Sequence, residues 1–303
     1  MTPEDIKREL LELNIFKYID KVETVEEGVS TNVFRIFSDS SVFYLRIQQQ
    51  ENIKALISEI EIYNLLNEQK VKVPEVIYYE TDSGRFGSPY MIVTEIKGEP
   101  LYTKDQNIKR KVLNKAGEDL AIINSFKVNG FSWIESINEE IIIANYKTYQ
   151  DFHFSGLEKR FNSIINEGLL NGKSSQYINK INTSNKVFSE YTTGHLAHGD
   201  FDISSVYYSD DTYTGIIDFG DVRVGSIYYD LAHNYLYDGE ESLKYLLEGY
   251  LNVTKLDDNY MEHIRSEALF IAVGKFSWII KNIPKSNWNN IEINYINNFF
   301  INI

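Results

Sequence analysis

Two carboxylates eighteen residues apart stand near the two ends of the segment LAHGDFDISSVYYSDDTYTGIIDFGD, Leu196 to Asp221. Asp200 follows His198-Gly199, and Asp218 precedes Phe219-Gly220. Between them, Val206 to Ser209 and Thr214 to Asp218 are β-branched and aromatic runs on either side of Asp210-Asp211, a pattern that predicts a hairpin. Closing that hairpin brings the two ends of the segment to one mouth. Two acids at one mouth suit phosphoryl transfer, in which one accepts the proton of an attacking hydroxyl and the other holds Mg2+ on the phosphates of a nucleotide.

The elements that must position this pair are legible on both sides of it. Thr31 to Asp39 and Ser41 to Gln48 read as strands around an Asp39-Ser40 turn. Asn52 to Gln69 places Leu56, Ile60, Tyr63 and Leu66 on one face at helical spacing. Pro74 opens a further strand, and the turn at Ser83-Gly84 and Gly87 precedes another, PYMIVTEIKG. Beyond Gly98 the pattern turns helical, with Ile108 to Phe126, Tyr146 to Leu170, Tyr228 to Tyr250 and Met261 to Ile283 all periodic. Between these helices only the Val206–Asp218 strand pair is expected. The polar crossing Thr94 to Pro100 marks the boundary between a β-rich part, residues 1–97, and a larger helical part, residues 98–303.

Composition narrows the classes of function. The 303 residues suffice for two lobes with a substantial core, and 43% apolar content is that of a globular chain. A formal charge of −14 argues against a nucleic-acid footprint, which needs a basic face. The chain has no cysteine, which removes thiolate nucleophiles, disulfides and Cys-based zinc sites. Its N-terminus, MTPEDIKREL, lacks the apolar core of a signal peptide. No apolar run approaches the ~20 residues that span a bilayer. A soluble, cytoplasmic protein without membrane or nucleic-acid partners is the expectation.

The ordered motifs resemble the aminoglycoside phosphotransferase and choline kinase-like small-molecule kinases, from about Glu27 to about Tyr250. HGDFDISS resembles that family's catalytic loop, where His-Gly-Asp is followed after four residues by a metal-binding Asn. IDFGD resembles its metal-binding Asp segment, and GSIYYDLAHNY the region whose Asp supports the loop. The resemblance implies an α+β, bilobal protein kinase-like fold with a small β-rich N-lobe and a larger helical C-lobe. It implies Asp200 as the catalytic carboxylate, Asp218 and Ser205 as ligands of Mg2+, and His198 and Asp230 as support for the loop. By position, Ser30 falls in the loop that covers the phosphates. Arg46 supplies the phosphate-contacting cation, with Glu59 on the following helix as its ion-pair partner. The carbonyl of Thr94 and the N–H of Ile96 fall where the hinge reads the purine edge of ATP or GTP.

Two departures stand out. Ser205 occupies the place of the family's Asn, giving Mg2+ a single neutral hydroxyl of shorter reach, usable directly or through water. Arg46 replaces the commoner Lys, keeping the charge and adding bidentate geometry toward phosphate. The bland alternatives are a turn-capping Asp200 and a strand-end Asp218, and neither explains the other. HLAH, His195 to His198, together with Asp200 has metal-ligating types, but on an extended segment these residues do not converge. The aromatic run Asn145 to Phe154 reads as helix core.

The reading is therefore a nucleotide-dependent O-phosphotransferase acting on a small molecule. A cationic acceptor suits an acidic protein, which makes an aminoglycoside the first expectation. Glu139-Glu140, Asp221, Asp238 and Glu240-Glu241 are candidate contacts to it. Choline-like, amino-alcohol, macrolide and sugar acceptors are open within the same family. The rival is a catalytically weak or inactive kinase-like protein that binds nucleotide or ligand.

Overall fold

The computed structural model describes residues 1–25, 31–48, 53–82, 84–137, 142–167 and 174–284. These divide into two compact units that interleave in sequence. The first comprises Met1–Glu99, Tyr207–Ser209 and Thr214–Gly220, and the second Pro100–Val206, Asp210–Tyr213 and Asp221–Ile303. The chain is a mixed α/β protein with an antiparallel, β-rich N-terminal region and a helical C-terminal part.

In the first unit, Lys21–Val25 (β1), Thr31–Ser38 (β2), Ser41–Gln48 (β3), Val76–Glu80 (β4) and Tyr90–Thr94 (β5) form a sheet in the order β1-β2-β3-β5-β4, antiparallel throughout. The turn between β2 and β3 has Asp39 and Ser40 at φ 51° and 63°, the double left-handed geometry whose twist matches the strands it joins. Side chains of a strand alternate faces. Leu45 and Ile47 enter a core with Phe34, Ile36, Tyr90 and Ile92, which Ile6 and Leu10 of helix Pro3–Glu12 (α1) close. Thr2 and Asp5 start α1 with a reciprocal capping box. Arg46, between Leu45 and Ile47, points the other way, toward Ile53–Glu68 (α2).

In α2 the stripe expected from the sequence, Leu56, Ile60, Tyr63 and Leu66, is buried. Glu59 lies within that stripe and is 1% exposed, whereas Glu61 faces outward.

The second unit departs from the sequence expectation. A five-stranded sheet stands where only one hairpin was expected, in the order β7-β10-β13-β8-β9. Its strands are Lys127–Val128 (β7), Phe131–Ile137 (β8), Ile142–Tyr146 (β9), Gly194–Ala197 (β10) and Arg223–Gly225 (β13). Most are two to five residues long and two carry bulges, so none shows a clean two-residue period. The helix expected over Tyr146 to Leu170 is instead the end of β9 followed by Tyr149–Phe154 (α4) and Leu157–Asn166 (α5), separated at Gly156. Ser174–Phe188 (α6) and α1 were not anticipated. Both carry mostly polar side chains, which dilutes the apolar stripe.

The remaining helices fall where their periodicity placed them: Gln106–Ser125 (α3), Tyr229–Val253 (α7, broken at Gly239) and Tyr260–Asn282 (α8). Helices α3 and α7 cross at glycines. A Cβ on Gly117 would lie 2.1 Å from the Leu246 carbonyl oxygen, and one on Gly249 would lie 1.7 Å from that of Asn114. Only hydrogen side chains permit that approach.

The expected hairpin forms between Val206–Ser209 (β11) and Thr212–Ile216 (β12), with Asp210 and Asp211 at φ 48° and 58°. In the first unit the Ile216 N–H donates to the Lys72 carbonyl at 2.8 Å, which fixes the strand leading to Asp218.

Candidate active site

In the first unit the geometry centres on Arg46. Its Nη1 donates to Glu59 Oε1 in a short buried contact, and its Nη2 lies 3.7 Å from Asp218 Oδ1. The guanidinium thus joins a fully buried carboxylate to one that is 65% exposed. Burial pulls the Arg46 pKa down, but Glu59, then Tyr63 and Asp218, more than offset this and hold the side chain charged. Tyr63, one turn beyond Glu59, packs its ring edge-on against Phe219 at 5.4 Å, tying α2 to the Asp218 segment. Asp218 has φ 69°, an uncommon backbone state for a residue other than glycine. Such strain is frequent at functional sites.

Thr94, at the end of β5, donates its N–H to the Glu75 carbonyl and accepts the Glu75 N–H on its hydroxyl, both at 2.9 Å. Ile96 follows in irregular chain, and a Cβ on Gly215 would lie 3.0 Å from its Cδ1. Ser30 and the rest of the expected covering loop lie outside the described residues, as do Glu139 and Glu140.

In the second unit β10 runs into the loop His198 to Ser205. Gly199 has φ 93°, and a Cβ there would lie 2.0 Å from the Asp221 carbonyl oxygen. No other residue fits without moving the backbone. Asp230, fully buried near the start of α7, accepts the N–H groups of His198 and Gly199 at 2.9 Å each. It also accepts from Asn124 Nδ2, which in turn bonds the Leu196 carbonyl. His198 is buried and its Nδ1 accepts the Asp200 N–H at 3.3 Å. His195 bonds the Asn124 carbonyl through Nδ1, so the HLAH rings are engaged separately. Among the described residues no three His, Asp or Glu side chains form a metal cluster.

Asp200 is half-exposed, and His233 Nε2 stands 2.9 Å from its Oδ1. Burial pushes the Asp200 carboxyl up, but the His233 hydrogen bond and charge, with the charges of Lys275 and His198, hold it well below the usual carboxylate range. A carboxylate so acidic is a weak base.

His233 was not singled out from sequence. The available signal was its place three residues after Asp230, on the same face of α7. Further along, Asp238 accepts the Ile203 N–H at 3.0 Å and Asn234 Nδ2 at 2.6 Å. Burial, then the nearby Asp202 charge, push its carboxyl up to about 7. Arg223 stacks beneath the exposed Trp133, with its guanidinium carbon 4.3 Å from the ring centroid.

The donors suit a hard cation in kind. Asp218 offers exposed carboxylate oxygen. Ser205 is 4% exposed, and its hydroxyl donates to the Asp200 carbonyl at 3.2 Å, leaving oxygen lone pairs for a neutral contact. Magnesium keeps several waters and takes carboxylate and hydroxyl oxygens, so each of these two oxygens, taken by itself, is of a type it accepts.

An antiparallel β-rich region followed by a helical part that carries an aspartate on a buttressed loop is the architecture of a kinase-like phosphotransferase. Residues 21–262 match the phosphotransferase enzyme family, and the chain belongs to that family. Among solved structures, it is similar to a thermostable mutant of the aminoglycoside phosphotransferase APH(4)-Ia in ternary complex with AMP-PNP and hygromycin B. That pair shares 13% identity over 98% of this chain and 97% of the other, with TM-score 0.71. A GDP complex of aminoglycoside 2'-phosphotransferase-IIIa shows 16% identity over 100% and 99%, with TM-score 0.72. A Haemophilus somnus 129PT protein assigned as a fructosamine-3-kinase shows 15% identity over 98% and 97%, with TM-score 0.65. No curated protein matches the chain. Among the described residues no helix is long and apolar enough to cross a membrane.

Proposed function

We propose that this kinase is a nucleotide-dependent O-phosphotransferase for a small cationic acceptor, with an aminoglycoside-type amino-sugar the first candidate. The observation that carries the reading is Arg46, held charged between buried Glu59 and exposed Asp218 in a chain of this family. In this reading residues 1–97 bind ATP or GTP and residues 98–303 carry the catalytic loop and the acceptor, in the cytoplasm. Asp200 orients the acceptor hydroxyl. The hydroxyl oxygen bonds to the γ-phosphorus, the bond to the β-phosphate bridging oxygen breaks, the proton passes to Asp200 and a nucleoside diphosphate leaves.

Arg46 grips the α- and β-phosphates, Ser30 covers them, and the Thr94 carbonyl and Ile96 N–H read the base. His198 and Asp230 keep the loop in shape. Asp218 and Ser205 would hold Mg2+, which neutralises phosphate charge when bound. The net charge of −14 supports a cationic acceptor, and Asp221, Asp238, Glu240 and Glu241 are candidates to face it. The reading excludes nucleic acid and membrane as partners.

The test is nucleotide consumption with ATP and with GTP, in Mg2+, against aminoglycosides, choline, amino-alcohols, macrolides and neutral sugars. Turnover confined to cationic acceptors is expected. Turnover with none of them refutes the reading. The second reading, a nucleotide-binding protein with little turnover, is favoured by one observation: Ser205 replaces the family's Asn and spends its hydroxyl hydrogen on Asp200. Ser205→Asn separates the two. Under the enzyme reading it lowers the Mg2+ requirement of an already active protein, whereas under the second reading it creates activity where the wild type has none.

A further inference from the structure

We propose that His233 is the positioning residue of Asp200, fixing which carboxylate oxygen addresses the acceptor hydroxyl; the proposal rests on the functional reading above. Three constraints hold its ring. Nδ1 stands 3.1 Å from the Phe201 carbonyl oxygen, Nε2 stands 2.9 Å from Asp200 Oδ1, and the Tyr237 ring stacks on it at 4.4 Å and 20°. The side chain is almost wholly buried, so it has no second rotamer to occupy without leaving these contacts.

Both ring nitrogens face oxygens that can only accept, a carbonyl and a carboxylate. Both therefore donate, and the ring is an imidazolium. Charged groups face it from three sides: Asp200 and Asp202 on the catalytic loop, Lys275 on α8, and Asp238 further along α7. Burial pulls the His233 pKa down, but the Asp200 hydrogen bond and charge outweigh it and raise it above the ordinary value.

The consequence is geometric. The loop backbone at Phe201 and the side chain of Asp200 hang on one rigid ring, and that ring is carried by the same helix face as Asp230, which holds His198 and Gly199. With Oδ1 committed to His233, Oδ2 becomes the oxygen offered to the hydroxyl, and rotation about the Asp200 side chain is arrested. Such arrest matters because a small misplacement of a reacting group costs about 100-fold in rate.

Two replacements separate the bonds. His233→Asn can reach the Phe201 carbonyl but not Asp200, whereas His233→Gln places an amide where Nε2 stood. With the full chain, His233→Asn is expected to lower kcat about 10- to 100-fold while the KM for nucleotide and acceptor stays within a few-fold. His233→Gln is expected to restore most of the loss. In an Asp200→Asn background, His233→Asn is expected to change the residual rate by less than about two-fold, because the group it positions is gone.

Nitrogen-15 histidine NMR of the free protein at neutral pH reads the contact without turnover. A doubly protonated His233 ring is expected in the wild type and a neutral one in Asp200→Asn. A neutral ring in the wild type, a wild-type-like kcat in His233→Asn, or the same loss in both backgrounds overturns the proposal. A wild type that shows the imidazolium yet phosphorylates no acceptor refutes the functional reading instead, and this role falls with it.

Discussion

At the residue scale, Asp200 and Asp238 show how burial and neighbours set two carboxyls apart on one face of the second unit. Asp200 is held ionised by His233, and Asp200→Asn is expected to lower kcat by about 10²- to 10⁴-fold with nucleotide affinity within a few-fold, measured by steady-state kinetics and nucleotide titration. Asp238 behaves oppositely. Its carboxyl titrates at about 7 in the fold against 3.8 when unperturbed. Between those values the folded state binds the extra proton, so stability contributed by this group is full below about pH 4 and is lost as pH rises through 7. Thermal unfolding followed from pH 4.5 to 8 is expected to show a shallower decline for Asp238→Asn than for the wild type. Parallel curves would remove Asp238 as the cause.

At the element scale, the loop His198 to Ser205 hangs from α7, which supplies Asp230, His233 and Asp238 to the backbone or side chains of residues 198–203. Helix α7 is in turn seated on α3 through Gly117 and Gly249. A methyl group at residue 249 would press on the Asn114 carbonyl at 1.7 Å, and neither backbone can yield without parting the helices. Gly249→Ala is therefore expected to destabilise the protein by about 3 kcal/mol, at the upper end of ordinary overpacking, as read by urea denaturation. A loss below about 1 kcal/mol would mean that the crossing adapts.

At the scale of the whole molecule, charge and nucleotide linkage give separate tests. The chain carries −14 formal charges, and exposed charges are screened within about 8 Å at physiological salt. For a cationic amino-sugar, KM is expected to rise several-fold between low and high salt, while KM for a neutral sugar stays flat. Equal salt dependence for both would remove electrostatic attraction as the basis of acceptor choice. A nucleotide at 100 times its dissociation constant stabilises the fold by about 2.7 kcal/mol. Asp218→Ala is expected to abolish the Mg2+ dependence of that shift in thermal-melt assays, and a shift as large and as Mg2+-dependent as in the wild type would move the metal elsewhere.

What the sequence determined by itself was everything governed by neighbours a few residues apart. The turns at Asp39-Ser40 and Asp210-Asp211, the Leu56-Ile60-Tyr63-Leu66 stripe and the spans of α3, α7 and α8 follow from local backbone preference and helical period. The ordered motifs around Asp200 and Asp218 pointed to the family, because a motif is a run of near neighbours that is legible without the fold. Tertiary structure decided the rest. Whether β8 and β9 are strands depended on partners found elsewhere in the chain, since short bulged segments have no period of their own. The resemblance named Glu59 as the partner of Arg46, but its burial there, with Glu61 facing outward, depended on which face α2 turned to the sheet. His233 reaches Asp200 across 33 positions of chain, and no local pattern records such a pair. The contact exists because helix α7 packs its 230–233 face against the loop, and packing is a property of the folded chain.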